Sequence, residues 1–218
     1  MDVSVIVSTY NEPEWLRKCL WGWEAQTDRG FRELIIADDG SGPETAECIE
    51  QMREETGLPL KHVWQEDRGF RKSAILNRAI AAAEGEYLVF SDGDCIPRND
   101  FMATHIQYAQ RGCYLSGGYF KLPRDVSETI TREDVREGRP FDREWLGAHE
   151  VEHSKAWLLL TASPLWGSVL NSISTTRPTW NGHNSSGWKA ELVAVNGFNE
   201  AMGYGGQDRE FGERLMNL

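Results

Sequence analysis

Apolar and polar positions in the first hundred residues follow two alternating rhythms. Residues 3–8 (VSVIVS) form a short, β-branched, largely apolar run, the pattern of a strand buried on both faces. Behind it, Trp15, Leu16, Cys19, Leu20 and Trp23 recur at helical spacing and predict one apolar helix face. Asn11 is placed to cap that helix, with Pro13 in its first turn and Glu14 three residues after the cap. Residues 34–37 (LIIA) predict a second strand. Residues 45–55 predict a second helix through Ala46, Ile49 and Met52, stopped by Gly57. A short third strand at 62–64, an Ala-rich helix at 73–83 ended by Gly85, and a fourth strand at 87–90 (YLVF) complete the series. The order βαβαβαβ predicts a mostly parallel sheet with helices on both faces, an α/β fold. Such sheets bind ligands beyond the carboxyl ends of their strands.

The second half is less regular. Asp100 is placed to cap a helix carrying Phe101, Ile106 and Tyr108, and residues 114–120 read as a strand containing Gly117 and Gly118. Residues 123–152 are rich in charge and predict surface helices or a mobile insertion. Residues 157–160 are apolar, 172–187 read as a polar loop, and 192–195 as a late strand. Phe211, Leu215 and Leu218 share a helical face in the last segment, which starts at Asp208. The sequence ends there without a cap, so we expect a natural protein that continues past this point.

Composition narrows the class. The 218 residues carry a formal net charge of −11, with 40% hydrophobic and 26% charged residues, which suits a globular chain with a real core. That apolar content excludes a disordered chain. No apolar run approaches the ~20 residues that cross a bilayer, and no basic-then-apolar signal segment opens the sequence. The acidic balance argues against nucleic acid as the main partner, since phosphate neutralisation needs clustered Lys and Arg. Cys19, Cys48, Cys95 and Cys113 form no CxxC pair, so reduced thiols in a cytoplasmic protein are expected rather than a zinc site. The nine Trp residues suit core packing or, for some, platforms under sugar rings.

Three predicted strand ends carry polar clusters: Thr9-Tyr10-Asn11-Glu12, Asp38-Asp39-Gly40-Ser41 and Ser91-Asp92-Gly93-Asp94. Carboxylates gathered at one sheet edge repel one another and need a cation or a donor-rich ligand. A divalent metal with a nucleoside diphosphate supplies both. Asp92-Gly93-Asp94 offers two carboxylates in one turn, hard oxygen ligands for Mg²⁺ or Mn²⁺. Its spacing alone also fits a solvated Asp-Gly turn. Arg68, Arg71 and Lys72 gather at the head of the third helix, where free N–H groups and basic side chains favour phosphate. Late in the chain, Gly203, Gly205 and Gly206 let backbone approach a ligand, and Asp208 reads as a helix cap, a general base, or both.

Together the stretches VSVIVSTYNE, LIIADDGS, DRGFRKSAILNRAI, YLVFSDGDCIP and NGFNEAMGYGGQDREF resemble the family 2 inverting glycosyltransferases of GT-A fold, in that family's order and spacing. The resemblance covers most of the chain outside residues 121–177. It implies a single GT-A domain over 1–218, with a nucleotide-sugar-binding half at 1–98 and an acceptor-binding half at 99–218. It implies a UDP-sugar donor and Mn²⁺ or Mg²⁺ as cofactor. Thr9, Tyr10 and Glu12 would then contact the nucleoside, Asp39 the base edge, and Arg71 the base or phosphates. Asp92, beside Gly93, would bond ribose or a metal-bound water, Asp94 would bind the metal directly, and Asp208 would be the catalytic base. Gln207, Gly205, Gly206, Trp180 and His183 would border the acceptor or donor sugar, with Gly117 and Trp166 as further pocket walls. Two departures stand out. Gln207 occupies a position where many relatives carry Glu, and no His follows the final helix to complete a metal site. The implied acceptor is a glycan or a lipid-linked glycan in polysaccharide assembly. A lipid-linked acceptor would bring the protein to the inner face of the membrane as a peripheral association.

Two other readings compete. A sugar-nucleotide-binding module without turnover would share the motifs, and Gln207 keeps it open. A haloacid-dehalogenase-like phosphatase also uses Asp-x-Asp after a strand, but expects it on an early strand with the second acidic pair downstream. Here Asp38 and Asp39 precede it.

Overall fold

The computed structural model describes residues 1–151 and 179–218. The apolar run at 157–160, Trp166 and residues 172–178 of the predicted 172–187 loop lie outside the described residues. Strands and helices are numbered here in chain order over the described residues.

The first half follows its hydrophobic pattern. β1 (Val3–Thr9), α1 (Pro13–Glu24), β2 (Phe31–Asp38), α2 (Pro43–Thr56), β3 (Leu60–Trp64), α3 (Lys72–Ala82) and β4 (Tyr87–Asp92) alternate as expected. β1 pairs in parallel with both β2 and β4, and β2 with β3. Strand alternation divides the core between the two faces. Val3, Val5 and Val7 join Leu16, Leu20 and Trp23 of α1 and Ile49 and Met52 of α2 on one side. Ile6, Ile35 and Leu88 meet Ile75, Ala79 and Ile80 of α3 on the other.

Asn11 does not cap α1. Its backbone sits at φ 51°, and Glu12 is the residue that precedes the helix, with no side-chain cap bond. Asn11 lies one residue ahead of the cap position, and its side-chain oxygen accepts from the Gly42 N–H instead. Asp100 precedes α4 (Phe101–Tyr108) without capping it, because its carboxylate receives Arg98.

In the second half, expected and observed strands differ at three places. The 114–120 segment keeps only β5 (Leu115–Ser116). A Cβ on Gly117 would sit 2.4 Å from Asn184 Nδ2, and the carbonyls of Gly117 and Gly118 are taken by Asn181 and Asn184 side chains. Residues 192–195 belong mostly to α8 (Lys189–Ala194), with Leu192 buried and Val193 exposed. The late strand is β6 (Asn184–Trp188), antiparallel to β4, within a stretch that reads as polar loop. The full order is β3-β2-β1-β4-β6-β5. α9 (Gln207–Met216) closes the described fold.

The charged segment forms short helices, α5 (Arg124–Thr129), α6 (Arg132–Arg136) and α7 (Arg143–Ala148), around Val126, Leu146 and Val151. The Lys18 ammonium ties it to α1 by donating to the carbonyls of Ser127, Glu128 and Ile130 at 2.7, 2.8 and 3.1 Å. Among the described residues, no helix is long and apolar enough to cross a membrane.

β6 is tolerated in the core because its hydroxyls are satisfied. His105 of α4 donates from Nε2 to Asn184 Oδ1 at 3.1 Å, leaving Nδ1 to accept from Ser186 Oγ at 2.6 Å. Tyr87 then donates to Ser186 Oγ, also at 2.6 Å. This relay needs a neutral imidazole, and burial lowers the His105 pKa from 6.5 to about 4. Unfolded chains bind the proton below pH 6.5 while the fold resists it until about 4. Stability is therefore complete above 6.5 and falls as pH drops through that window. The loss amounts to about 3 kcal/mol at its acid end. Urea denaturation at pH 7.5 and 4.5 should show this slope in the wild type. In His105→Gln the 6.5-to-4 component should shrink, and an unchanged slope would remove His105 as its source.

Candidate functional site

Two acidic turns lean on the carboxyl end of one strand. The Asp39 N–H donates to the Thr9 carbonyl at 3.0 Å, and the Gly93 N–H donates to the Ser8 carbonyl at 2.7 Å. Asp39 and Asp94 therefore share a rim around β1, at the crevice where the chain's direction of travel across the sheet reverses between β1 and β4. Gly93 suits this approach, since a Cβ there would lie 3.0 Å from the Ser8 carbonyl oxygen.

The turn after β1 is zipped to the turn after β2. The Asn11 N–H donates to Ser41 Oγ and the Gly42 N–H to Asn11 Oδ1, both at 2.9 Å, while Trp64 Nε1 donates to the Ser41 carbonyl. Tyr10 is half exposed and donates to Asp67 at 3.0 Å; Glu12 is exposed, and Thr9 is buried. Asp39 Oδ1 accepts from Gln65 Nε2 at 2.5 Å and Oδ2 from the Arg71 N–H at 2.8 Å. A carboxylate retains further lone pairs, so these bonds aim Asp39 without saturating it.

At the end of β4, Asp92 Oδ1 accepts from Lys72 Nζ and Ser8 Oγ, each at 2.6 Å. Burial alone would raise the Asp92 pKa. The Lys72 ammonium and these two bonds outweigh it and hold the carboxyl below its ordinary range. Burial would likewise lower Lys72, but Asp92, with help from Asp208 and Asp94, holds it above the usual lysine value. The pair is thus a fixed charge pair at working pH. Of the basic residues expected at the head of α3, Lys72 is turned onto the acidic rim. Arg68 instead pairs with Glu66 on the surface. Arg71 contributes its backbone: its N–H goes to Asp39 and its carbonyl accepts from Gln65.

Asp94 is exposed, with a single weak contact from Cys95 Sγ at 3.4 Å. Asp92 and Asp94 could offer hard oxygens to Mg²⁺ or Mn²⁺, ions that take their remaining ligands from phosphate and water. Among the described residues, no group of three or more His, Cys, Asp or Glu side chains is gathered to hold a metal. Two carboxylates are thus what this part of the chain offers.

Asp208 reaches the same region from α9. It is the second residue of the helix, and Gly206 rather than Asp208 precedes it. Gly205 and Gly206 both have positive φ, at 88° and 85°, which explains their identity by backbone shape. Asp208 Oδ2 accepts from the Gly182 N–H at 3.1 Å, while Oδ1 is buried with no partner. A Cβ on Gly182 would meet both carboxylate oxygens at 3.1 Å, a tight contact that glycine avoids. Burial raises the Asp208 pKa. The Asp92 charge adds to the rise, and Lys72 and the Gly182 N–H oppose it. His183 lies among Asp92, Asp208, Lys72 and Asp94, and burial lowers its pKa against the pull of those carboxylates. Gln207, next to Asp208 in the chain, is buried with Oε1 unpartnered.

One expected site residue belongs elsewhere. Trp180 is 1% exposed and packs against Phe90, Tyr114 and Phe211, so it is core and no sugar wall. Its ring joins α9 to the sheet, a contact that only tertiary packing creates. Gly182, Ser8 and Gln65 were not singled out from sequence, because each acts on a residue far along the chain.

The glycosyl transferase family 2 model matches residues 4–158. Validoxylamine A glucosyltransferase from Streptomyces hygroscopicus subsp. jinggangensis is 28% identical over 231 aligned positions, covering 98% of this chain and 51% of that protein. Glycosyltransferase AglE from Haloferax volcanii is 34% identical over 111 positions, 50% of this chain and 34% of its own length. The chain therefore spans about a third to a half of these curated relatives. Among solved structures, a mannosyltransferase from Pyrobaculum calidifontis superposes with a TM-score of 0.62 at 21% identity, over 98% of this chain and 51% of that one. S. aureus TarS 1–349 superposes at 0.60 and 19% identity, over 99% and 55%. These likenesses support the GT-A fold. They leave no place for the phosphatase reading, which needs a different chain order around its Asp-x-Asp. With the family's pattern spanning β1 through α7 and the acidic rim set at its strand ends, the chain belongs to glycosyl transferase family 2, a family of glycosyltransferases.

Proposed function

We propose that this domain transfers a sugar from a nucleoside diphosphate sugar, preferably a UDP-sugar, to a hydroxyl of a glycan or lipid-linked acceptor, with inversion and with Asp208 as general base. The observation that supports this most is the placement of the Asp208 carboxylate by Gly182, within the field of Asp92, Lys72 and His183. Asp39, aimed by Gln65 and Arg71, would accept from the base edge, and Thr9, Tyr10 and Glu12 would border the nucleoside. Asp208 Oδ1 would take the acceptor proton as the new bond forms. A carboxylate raised by burial does this better than a solvated one, and late transfer helps further because the hydroxyl oxygen acidifies as it bonds to carbon. Mn²⁺ or Mg²⁺ held by Asp94 and Asp92 would neutralise charge growing on the leaving diphosphate. Lys72 keeps Asp92 oriented and adds positive charge on the same side. Attack opposite the leaving group inverts the anomeric carbon.

Fold neighbours include one solved with GDP-Man and Mn²⁺ and one with UDP-GlcNAc, so both bases belong in the test. A thermal-shift panel of UDP, GDP, ADP and CDP, each with and without Mn²⁺, should show stabilisation by one nucleotide, larger with the metal. At 100 Kd the shift corresponds to about 2.7 kcal/mol. No response to any nucleotide would overturn the donor assignment. An equal response without Mn²⁺ would remove the metal.

A further inference from the structure

Asp208 Oδ1 and His183 Nε2 are both buried in this site without a hydrogen bond, as Gln207 Oε1 is too. The first is used by the reaction above. The second is not, and a buried imidazole nitrogen without a partner calls for an explanation. The turn that carries His183 is held by its neighbours. The Asn181 N–H donates to Ser185 Oγ at 2.9 Å, and its side chain donates to the Gly117 carbonyl at 2.8 Å. Asn184 closes the turn by donating its N–H to the Asn181 carbonyl, and its side chain to the Gly118 carbonyl, each at 2.9 Å. The ring is braced edge-on by Tyr119 at 4.8 Å. The preceding residue, Gly182, holds Asp208 Oδ2, so one turn positions both groups.

The charges that face the imidazole are Asp92, Lys72 and Asp94 on the nucleotide side and Asp208 on the acceptor side. It therefore stands where the transferred sugar would lie between them. Three ligands could satisfy it. A diphosphate already has Lys72 and the carboxylate-held ion. A divalent ion is given Asp94 and Asp92 in the reading above and takes its remaining ligands from phosphate and water. A sugar hydroxyl, both donor and acceptor, suits a neutral imidazole in a desolvated place. We propose that His183 binds a hydroxyl of the transferred sugar through Nε2 and so aims the anomeric carbon at the oxygen held by Asp208. In this role it passes no proton and forms no covalent bond. The proposal rests on the donor reading above.

The test compares wild type, His183→Phe, which keeps a ring against Tyr119, and His183→Gln, which keeps an N–H donor. Calorimetry in Mn²⁺ would measure UDP-glucose, UDP-N-acetylglucosamine and GDP-mannose against UDP and GDP, with Mn²⁺ affinity read separately by electron paramagnetic resonance. Wild type should bind one nucleotide sugar about tenfold tighter than its diphosphate, the size of one good hydrogen bond. His183→Phe should lose that gain while diphosphate and Mn²⁺ affinities stay within about twofold, and His183→Gln should recover part of it. A full sugar gain in His183→Phe overturns the proposal. So does a fall in Mn²⁺ or diphosphate affinity, which would assign His183 to those ligands. A wild type that gains nothing from any sugar overturns it while the nucleotide reading stands; one that binds no nucleotide overturns both.

Discussion

Asp208→Asn should lower sugar transfer by about 10²–10⁴-fold, the range a positioned general base contributes. Asn has the same shape, and its carbonyl oxygen still accepts from the Gly182 N–H, so the turn at 181–184 keeps its form. What disappears is the proton acceptor at Oδ1, the atom that is buried and without a protein partner. Nucleoside diphosphate affinity should hold, because Asp39, Lys72, Asp92 and Asp94 stand on other elements. Diphosphate release with the best available acceptor, alongside calorimetry with the diphosphate alone, separates the two quantities. Equal turnover in the variant would remove Asp208 from the mechanism. Weakened nucleotide binding would show that its charge serves the donor side.

Trp180→Ala should cost about 3–5 kcal/mol of stability, the usual range for deleting a large buried aromatic. The ring centroid lies 5.0 Å from that of Phe211, 5.2 Å from Phe90 and 5.7 Å from Tyr114. Its indole N–H has no hydrogen-bond partner, so the loss is one of packing. For that reason Trp180→Phe should cost much less. The residue also sits between the sheet and α9. A Cβ on Gly212 of that helix would lie 2.7 Å from the Trp180 backbone nitrogen, so helix and strand-edge backbone are in close contact there. Loosening this contact moves the helix that carries Asp208. Trp180→Ala should therefore lose activity at temperatures where it is still folded. Urea denaturation measures the first effect and transfer at 15 °C the second. A cost below about 1 kcal/mol would mean that α9 is seated by other contacts.

The first half of this fold was legible because its instructions are local. Apolar runs and helical repeats within about a dozen residues specify β1 to β4 and α1 to α3, and a parallel sheet follows from their alternation. The same rule points to the strand ends, and Asp39, Asp92 and Asp94 follow or close β2 and β4 there. Asn11 shows where locality stops: a residue suited to capping its own helix is spent instead on Ser41 and Gly42, thirty residues away.

The second half of the site is a product of tertiary structure. β6 has no apolar alternation to announce it, since Ser186 enters the core on hydrogen bonds from Tyr87 and to His105. Gly182 reads as an ordinary loop glycine until Asp208 arrives against it. Trp180 invites a sugar-binding reading until Phe90 and Phe211 enclose it. Lys72 is one of three neighbouring cations, and only the approach of α3 to the end of β4 selects it for Asp92. The difference is physical: secondary structure answers to neighbours a few positions away, whereas a charge, an orphaned nitrogen or a close backbone approach takes its meaning from groups that only folding brings near.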